Sequence, residues 1–196
     1  MYDTKSFFNE RAAVWDKLNM HDPEQLRVML YLSDIRPDSV ILDVGCGTGI
    51  LEPMLVEYRP QSVIAIDFAE KMVATAKAKF QHPLVEFHCI DLFDLEDIRC
   101  DNCFFVSTFP HFADQKAALL HVNDLIKPGG RITISNIQGK YCGNNADILN
   151  PMLPAQALLN LLRPHYRLDV IIDNRAMFLI SGTRLNRPSD NDSGDT

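Results

Sequence analysis

The sequence predicts an α/β fold: a mostly parallel sheet of seven strands, doubly wound, with one antiparallel strand near an edge. Three observations predict it. Short β-branched runs alternate with amphipathic stretches five times along the chain. The first of these runs ends in a loop with three glycines. The last two apolar runs are separated by three polar residues, as in a hairpin.

The first elements are two helices. One is expected over about residues 6–18, where Phe8, Arg11 and Trp15 fall on one face. Pro23, a residue that suits the first helical turn, starts the second helix, which extends to about residue 32. The short apolar runs that follow predict strands at 39–44, 62–66, 84–90, 102–107 and 131–135. The helices between them are expected at about 50–58, 69–80 and 115–126.

The end of this series carries the clearest local patterns. Apolar residues recur at helical spacing through 115–126, and the Pro-Gly order of residues 127–130 predicts a tight turn before the fifth strand. A helix is expected over 155–162. Two final strands, 166–172 and 176–183, would form the hairpin that brings an antiparallel strand into the sheet.

Length and composition set the class of protein. With 196 residues and 46% apolar residues, we expect one domain over residues 1–184, whose first 34 residues form a helical lid, and a mobile acidic tail over 185–196. No apolar stretch approaches the ~20 residues of a membrane span, and no signal-peptide pattern opens the chain. A net charge of −7 without a basic patch disfavours a nucleic-acid partner. We expect a cytoplasmic protein with neither membrane nor nucleic acid as partner.

The five cysteines favour reduced thiols over a disulfide framework, because their number is odd and their spacing wide. Cys100 and Cys103 form a C-x-x-C, but a structural zinc site needs four ligands. Packing is therefore the favoured interpretation of this pair, and no metal is expected.

The loop after the first strand, Gly45-Cys46-Gly47-Thr48-Gly49, predicts a ligand site. Glycines let the backbone turn sharply and let a ligand lie against bare main chain, at the carboxyl edge where open parallel sheets bind ligands. Asp67 closes the second strand and can accept hydrogen bonds from a ribose diol. These features describe a nucleoside site. A dinucleotide fingerprint needs a third glycine where Ile50 stands, which makes an NAD-dependent oxidoreductase the less favoured alternative.

Four motifs in order resemble the class I S-adenosylmethionine-dependent methyltransferases, in particular small-molecule, type 11-like members. Residues 41–50 match the family's D-V-G-C-G-T-G motif, and Ala65-Ile66-Asp67 its second-strand acid. Cys89-Ile90-Asp91-Leu92 matches its third-strand acid, and residues 127–130 match its L-K-P-G-G turn. The resemblance implies a Rossmann-like methyltransferase fold and S-adenosyl-L-methionine as cofactor.

The resemblance also assigns roles within the glycine loop. Gly45, Cys46 and Gly47 would line the methionine and ribose portions of the cofactor through their main chain, with Gly49 completing the loop. Asp43 would steady the loop and tolerate the cationic sulfonium nearby.

Further along, the resemblance places Asp67 on the ribose diol and Phe68 or Met72 against the adenine. Asp91 would accept a hydrogen bond from the exocyclic amine, and the Leu92 amide would meet the ring.

The end of the fourth strand is where substrates enter in this family. Ser107 and Thr108 would approach the methionyl amino group and the methyl group, while Phe109 and Phe112 would help to build the acceptor pocket. His111 is the candidate catalytic residue, as a hydrogen-bonding group or a proton acceptor, with plain packing as the alternative.

The rest of the acceptor pocket is expected from two other segments. Phe8, Arg11 and Trp15 would contribute from the N-terminal helix, and Gln138 and Tyr141 from the loop after the fifth strand. Aromatic and uncharged polar groups suit a small acceptor. Methyl transfer mainly requires alignment and not always a base, so a module that binds S-adenosylmethionine or S-adenosylhomocysteine without catalysis stays open as an alternative. Neither the acceptor atom nor the oligomeric state is predicted.

Overall fold

The computed structural model describes residues 4–18, 21–136 and 153–186. In these ranges seven strands form one sheet, in the order β3-β2-β1-β4-β5-β7-β6. The strands are β1 (Val40–Val44), β2 (Ser62–Asp67), β3 (Val85–Cys89), β4 (Cys100–Val106), β5 (Ile126–Asn136), β6 (Tyr166–Asp173) and β7 (Phe178–Arg184). The helices are α1 (Thr4–Arg11), α2 (Trp15–Leu18), α3 (Pro23–Leu32), α4 (Glu52–Leu55), α5 (Glu70–Lys79), α6 (Gln115–Leu125) and α7 (Ala155–Leu162).

The winding of the sheet reverses between β1 and β4. From β1 the chain proceeds outward to β2 and β3, then returns to β4 on the other side of β1, and all these neighbours pair in parallel. Only β7 runs against the rest: it is antiparallel to both β5 and β6. The predicted doubly wound sheet with one antiparallel strand is therefore confirmed, and its switch point lies where β1 and β4 end.

Both faces of the sheet are covered by helices, as the continuous apolar strands require. Leu42, Val44 and Phe105 belong to the core on the side of α6 and α7. Ile41 and Phe104 belong to the core on the side of α3. Alternate residues of β1 thus face opposite layers.

The N-terminal helix differs from its prediction. It is interrupted by a 3₁₀ turn over Ala12–Val14. A 3₁₀ turn has three residues per turn instead of 3.6, so one helical face does not continue through it. Arg11, the last residue of α1, does not face the cavity side with Phe8 and Trp15, because its side chain turns back on Phe7: its guanidinium lies 3.6 Å from the centre of the Phe7 ring.

The turn predicted at residues 127–130 lies inside β5 as a bulge. Ile126 already pairs with Cys100, and Arg131 pairs with Asn102, so four residues oppose Asp101 alone. Gly129, with φ +79°, permits this excursion. Other strand and helix bounds differ from the predicted ones by a few residues, chiefly at the helix predicted over 50–58, where α4 is short and ends in the 3₁₀ turn Val56–Tyr58.

Cys100 and Cys103 are both fully buried in β4. The Cys100 thiol donates to the backbone oxygen of Leu125, and burial raises the pKa of the Cys103 thiol well above its usual value. These contacts support the packing interpretation of the C-x-x-C.

Candidate functional site

The glycine loop closes the end of β1 against β2. Gly45 and Cys46 both donate their backbone N–H to the oxygen of Ile66, at 2.8 and 2.9 Å. Gly45 has φ +74°, and a Cβ added there would lie 2.0 Å from Oγ1 of Thr108 on the neighbouring β4 segment. Glycine at this position therefore satisfies both the backbone conformation and the close approach of the two strand ends.

Asp67 connects the loop to the helix that follows β2. Its carboxylate accepts from the backbone N–H of Gly47 at 3.0 Å and from that of Ala69 at 2.8 Å. Burial raises the pKa of Asp67 to about 6, against the opposing effect of these two hydrogen bonds. A carboxylate can accept about four hydrogen bonds, so Asp67 retains acceptor capacity toward the space above the loop.

That space is a cavity of about 340 Å³ at the switch point of the sheet. The ends of β1, β2, β3 and β4 form its floor, and the first two helices form a wall. The predicted site residues that line it are Phe8, Trp15, Gly45, Cys46, Gly47, Asp67, Phe68, Met72, Asp91, Leu92, Ser107, Thr108, His111 and Phe112.

Four predicted site residues do not line the cavity. Asp43 is 2% exposed and lies beneath the glycine loop. Gly49 is closed off by Ala76 and Phe87, which a Cβ there would meet at 3.1 and 3.2 Å.

The other two are on the acceptor side. Phe109 is buried in the core, where its ring meets the Phe105 ring edge-on, with 5.6 Å between the ring centres. Arg11 stacks on Phe7 and donates to the Phe7 backbone oxygen instead of facing the cavity. Gln138 and Tyr141 fall outside the described residues.

Asp91 occupies the cap position of a short 3₁₀ turn, Leu92–Asp94. One carboxylate oxygen accepts from the backbone N–H of Phe93 at 3.0 Å, which fixes the side chain at the edge of the cavity. Asp91 is exposed and lines the cavity, so its carboxylate combines this structural contact with access to the cavity.

Three buried polar atoms in the cavity wall have no hydrogen-bond partner among the described residues. They are Oγ of Ser107, Nδ1 of His111 and Nδ1 of His21. Ser107 also has φ +55°, a left-handed conformation that costs about 1–3 kcal/mol in a residue with a side chain. Buried polar groups normally have partners, so these three atoms are available to a bound molecule.

His111 sits in an apolar corner of this wall. Its ring meets the Phe8 ring edge-on with 4.9 Å between centres. Burial lowers the pKa of His111 to about 4, because the charged imidazolium would lose its hydration there. The imidazole is therefore neutral at physiological pH and can accept or donate one hydrogen bond.

The second helix is fastened to the glycine loop through Asp16. Its carboxylate accepts from the hydroxyl of Thr48 and from the ammonium of Lys79, the latter at 2.6 Å. Burial opposes the ionisation of Asp16, but these two hydrogen bonds outweigh it and lower its pKa. Neither Asp16 nor His21 was expected from the sequence, because Asp16 joins Thr48 and Lys79 across 32 and 63 positions.

A third unexpected residue is Glu52, at the start of α4. It is 0% exposed and lies beside Asp43 under the loop. Burial raises the pKa of Glu52 well above its usual value, and the Asp43 carboxylate raises it further. Burial likewise raises the pKa of Asp43 to about 7. An acidic residue at a helix start, as in Leu51-Glu52-Pro53, normally indicates only a favourable contact with the helix dipole. No local sequence pattern therefore predicts that Glu52 is buried beside Asp43.

Comparison with known proteins finds that the chain is similar to methyltransferases. Residues 42–134 match a family described as "Methyltransferase domain". The chain is 32% identical over 129 residues to malonyl-[acyl-carrier protein] O-methyltransferase 2 of Coxiella burnetii, covering 63% of this chain and 52% of that protein. It is 28% identical over 135 residues to N-demethylindolmycin N-methyltransferase of Streptomyces griseus, covering 65% and 56%.

Among solved structures, the N-methyltransferase NodS of Bradyrhizobium japonicum WM9, in complex with S-adenosyl-L-homocysteine, superposes with a TM-score of 0.77. It covers 93% of this chain and 99% of that chain at 14% identity, a likeness of fold. The chain spans about half the length of the curated relatives it matches. Within the described ranges, no helix has the length and apolar character of a membrane span.

Proposed function

We propose that the chain is a class I S-adenosylmethionine-dependent methyltransferase, like the proteins to which its sequence is similar, and that it transfers the methyl group of S-adenosylmethionine to a small molecule. The observation that carries this proposal is the cavity at the switch point, where the glycine loop, Asp67 and His111 meet. Open α/β sheets bind their ligands at this place. The lining combines the Asp67 carboxylate, which can accept hydrogen bonds from a ribose diol, with apolar side chains and neutral polar atoms.

The cofactor would lie along the carboxyl edge of the sheet. The bare main chain of Gly45 and Gly47 permits close approach, and Asp67 would accept from the ribose hydroxyls. Phe68 and Met72 would contact the adenine, with Asp91 at its exocyclic amine. The sulfonium supplies a good leaving group for methyl transfer.

The acceptor would enter beside the end of β4. Ser107, Thr108 and His111 line this part of the cavity, and Phe112 adds an apolar surface. Among the described lining residues none is Lys or Arg, so we propose an acceptor without a negative charge. The two relatives differ from each other in the acceptor for which they are named: a malonyl-acyl-carrier protein in one and N-demethylindolmycin in the other.

His111 would orient the acceptor. With a pKa of about 4 it is neutral but a weak base, and general bases are most effective when their pKa lies near the operating pH. A hydrogen bond from the acceptor's O–H or N–H to the imidazole would direct the lone pair at the methyl carbon. As the new bond forms and the carbon–sulfur bond breaks, the acceptor's proton would pass to solvent or transiently to this ring.

The first two helices would act as a lid. Phe8 and Trp15 line the cavity, and Asp16 fastens the segment to Thr48 and Lys79. Domain bounds of 1–184 with a mobile tail from 185 are part of the same proposal; residues 187–196 lie outside the described ranges.

Binding is tested directly by the intrinsic fluorescence of Trp15, the single tryptophan of the sequence, which lies in the cavity wall. Titration with S-adenosylmethionine and with S-adenosylhomocysteine should change its emission, and calorimetry should give matching affinities. Asp67→Ala should weaken both ligands, whereas Asp94→Ala, an exposed carboxylate outside the lining, should not. A folded protein that binds neither ligand would refute the proposal.

Catalysis is tested with methyl-labelled S-adenosylmethionine and a metabolite extract fractionated by charge. Label in a neutral or cationic small product supports the proposed acceptor class. Binding without transfer to any product would favour the non-catalytic binding module. Thermal protection by NAD⁺ but not by S-adenosylhomocysteine would favour an oxidoreductase.

A further inference from the structure

His21 lies between α2 and α3 in the chain, and its side chain forms part of the cavity wall. Its Nδ1 atom is buried and has no hydrogen-bond partner among the described residues. A buried polar atom without a partner costs the folded protein free energy, so such an atom indicates a place for a ligand or a water molecule. The two other atoms of this kind in the wall, in Ser107 and His111, are on the side proposed for the acceptor. The partner of His21 must therefore come from another part of the bound ligand.

The order of the strands gives a bound cofactor its direction. Asp91 follows β3, Asp67 ends β2, and the glycine loop follows β1, which is the next strand of the sheet. With the adenine beside Asp91 and the ribose on Asp67, the rest of S-adenosylmethionine extends over the glycine loop and under the N-terminal helices. This remaining part is an amino acid, which carries one ammonium group and one carboxylate.

His21 belongs to the part of the wall that covers the glycine loop. Asp16 accepts a hydrogen bond from the hydroxyl of Thr48 in this loop, and the charges of Asp16 and His21 act on each other. On the same helix as Asp16, Nε1 of Trp15 lies 3.9 Å from the position that a Cβ would take at Gly47. Two side chains with ring N–H groups, Trp15 and His21, therefore line the cavity where the amino-acid end of the cofactor would lie.

A carboxylate bound here would meet neutral donors. None of the described lining residues is Lys or Arg. The ammonium of Lys79 bonds the Asp16 carboxylate at 2.6 Å, which neutralises Asp16. Burial lowers the pKa of His21 against the opposing effect of Asp16, so its imidazole is uncharged at neutral pH and has one N–H to donate. A hydrogen bond to an ionised acceptor is about twice as strong as one between neutral groups.

We propose that His21 donates a hydrogen bond from Nδ1 to the carboxylate of bound S-adenosylmethionine, beside the indole N–H of Trp15. His21 thereby makes the site select adenosine derivatives that carry an amino-acid carboxylate over derivatives that end in an amine or a methyl group. The inference rests on the proposed function.

Three ligands separate the carboxylate from the rest of the cofactor. S-adenosylhomocysteine and its decarboxylated analogue, S-adenosyl-3-thiopropylamine, differ only in the carboxylate. 5′-Methylthioadenosine lacks the whole amino-acid end but keeps the adenosine and the sulfur. The ratio of the first two affinities therefore measures recognition of the carboxylate, and the third ligand reports on the adenosine half of the cavity.

The test is calorimetry of the three ligands with the wild-type protein and with His21→Phe, which keeps a ring and removes both ring nitrogens. Since a hydrogen bond to a charged group contributes about 10- to 100-fold in affinity, the wild type should prefer S-adenosylhomocysteine to its decarboxylated analogue by about this factor. His21→Phe should remove most of this preference and leave the affinity for 5′-methylthioadenosine unchanged. His21→Asn, whose amide N–H can replace Nδ1, should keep a part of the preference.

His88→Phe is the matched control, because His88 is an exposed histidine of β3 that pairs with Glu86 and is absent from the cavity lining. It should keep the wild-type preference. Equal affinities for S-adenosylhomocysteine and its decarboxylated analogue in the wild type would overturn the inference, as would a preference that persists in His21→Phe. An equal loss of affinity for all three ligands in His21→Phe would show that His21 only packs in the wall, and would overturn it too.

His21→Ala replaces His21→Phe, with the same expectations, if the phenylalanine variant does not fold. Failure of the wild type to bind any of the three ligands would refute the proposed function and this inference with it. Binding of S-adenosylhomocysteine without a carboxylate preference that depends on His21 would refute this inference and leave the proposed function standing.

Discussion

Substitution of Gly45 tests whether the glycine loop and the end of β4 are in close contact. In Gly45→Ala the new Cβ would lie 2.0 Å from Oγ1, 2.8 Å from Cγ2 and 2.9 Å from Cβ of Thr108. All three distances are shorter than real carbon contacts allow, so the loop and the β4 end must separate. The hydrogen bond from the Thr108 hydroxyl to the Gly45 oxygen, 3.2 Å, would be strained at the same time.

The loss of stability has two parts. A left-handed conformation costs an alanine about 1–2 kcal/mol, and Gly45 has φ +74°. Overpacking of a fitted site adds about 1–3 kcal/mol. We expect Gly45→Ala to lower the free energy of unfolding by about 2–5 kcal/mol, and to weaken binding of S-adenosylhomocysteine because the loop moves.

Gly129 provides a matched control. It has nearly the same backbone conformation, φ +79°, but a Cβ there would meet nothing within 4 Å. Gly129→Ala should therefore show the backbone cost alone, about 1–2 kcal/mol, and leave ligand affinity unchanged.

Urea denaturation followed by circular dichroism gives both free energies, and calorimetry gives the affinities. Thr108→Gly in the Gly45→Ala background should recover part of the loss, since it removes all three clashing atoms; the coupling expected for residues in contact is about 0.5–3 kcal/mol. Equal losses for the two alanine variants, without recovery in the double variant, would refute the close contact.

Three further predictions concern charge. His111→Ala should reduce turnover by about 10–10⁴-fold, and His111→Asn should recover much of that loss. Protonation of His111 should not lower the rate between pH 8 and pH 5, because its pKa is about 4. Lys79→Met removes the ammonium that bonds Asp16 and Thr48, so hydrogen exchange in residues 15–18 should accelerate and S-adenosylhomocysteine should bind more weakly. Glu52→Gln should gain stability relative to wild type as pH rises from ~4 to ~7, since a carboxyl with a raised folded-state pKa binds more protons folded than unfolded there.

Each of these predictions has its own control. A turnover that drops below pH 6.5 and is not recovered by His111→Asn would identify a proton acceptor instead of an orienting group. Lys77→Met alters a lysine on the same helix that is absent from the Asp16 contact, and equal exchange in both lysine variants would contradict the fastening role. For the stability prediction, the measured quantity is the difference between variant and wild type at each pH, in which the buried histidines cancel. A difference that is constant with pH would show that Asp43 and Glu52 hold no extra proton.

Much of the fold follows from local patterns. Apolar runs and helical periodicity place most strands and helices within a few residues, and the hairpin of β6 and β7 predicts the antiparallel strand. Gly47 of the glycine loop and Asp67 lie 20 positions apart, at the ends of β1 and β2, which are consecutive strands of a parallel sheet. Their meeting follows from the fold class alone, because the carboxyl ends of such strands share one edge.

Other features depend on contacts that no local pattern describes. The Arg11 side chain packs on Phe7 and does not face the cavity. Phe109 is buried in the core although its neighbours His111 and Phe112 line the cavity. An aromatic side chain gains similarly from burial in either place. Only the packing around each ring selects one.

The sequence by itself determined the doubly wound sheet, the glycine loop and the carboxylate that serves it, since each depends on residue type and spacing along one or two consecutive elements. Tertiary structure alone decided the charge of the site. Burial raises the pKa of both Asp43 and Glu52, and burial of His111 lowers its pKa so that its imidazole stays neutral. The physical reason is that a side chain's ionisation depends on its loss of water and on the charges brought near it, and both are set by the whole fold.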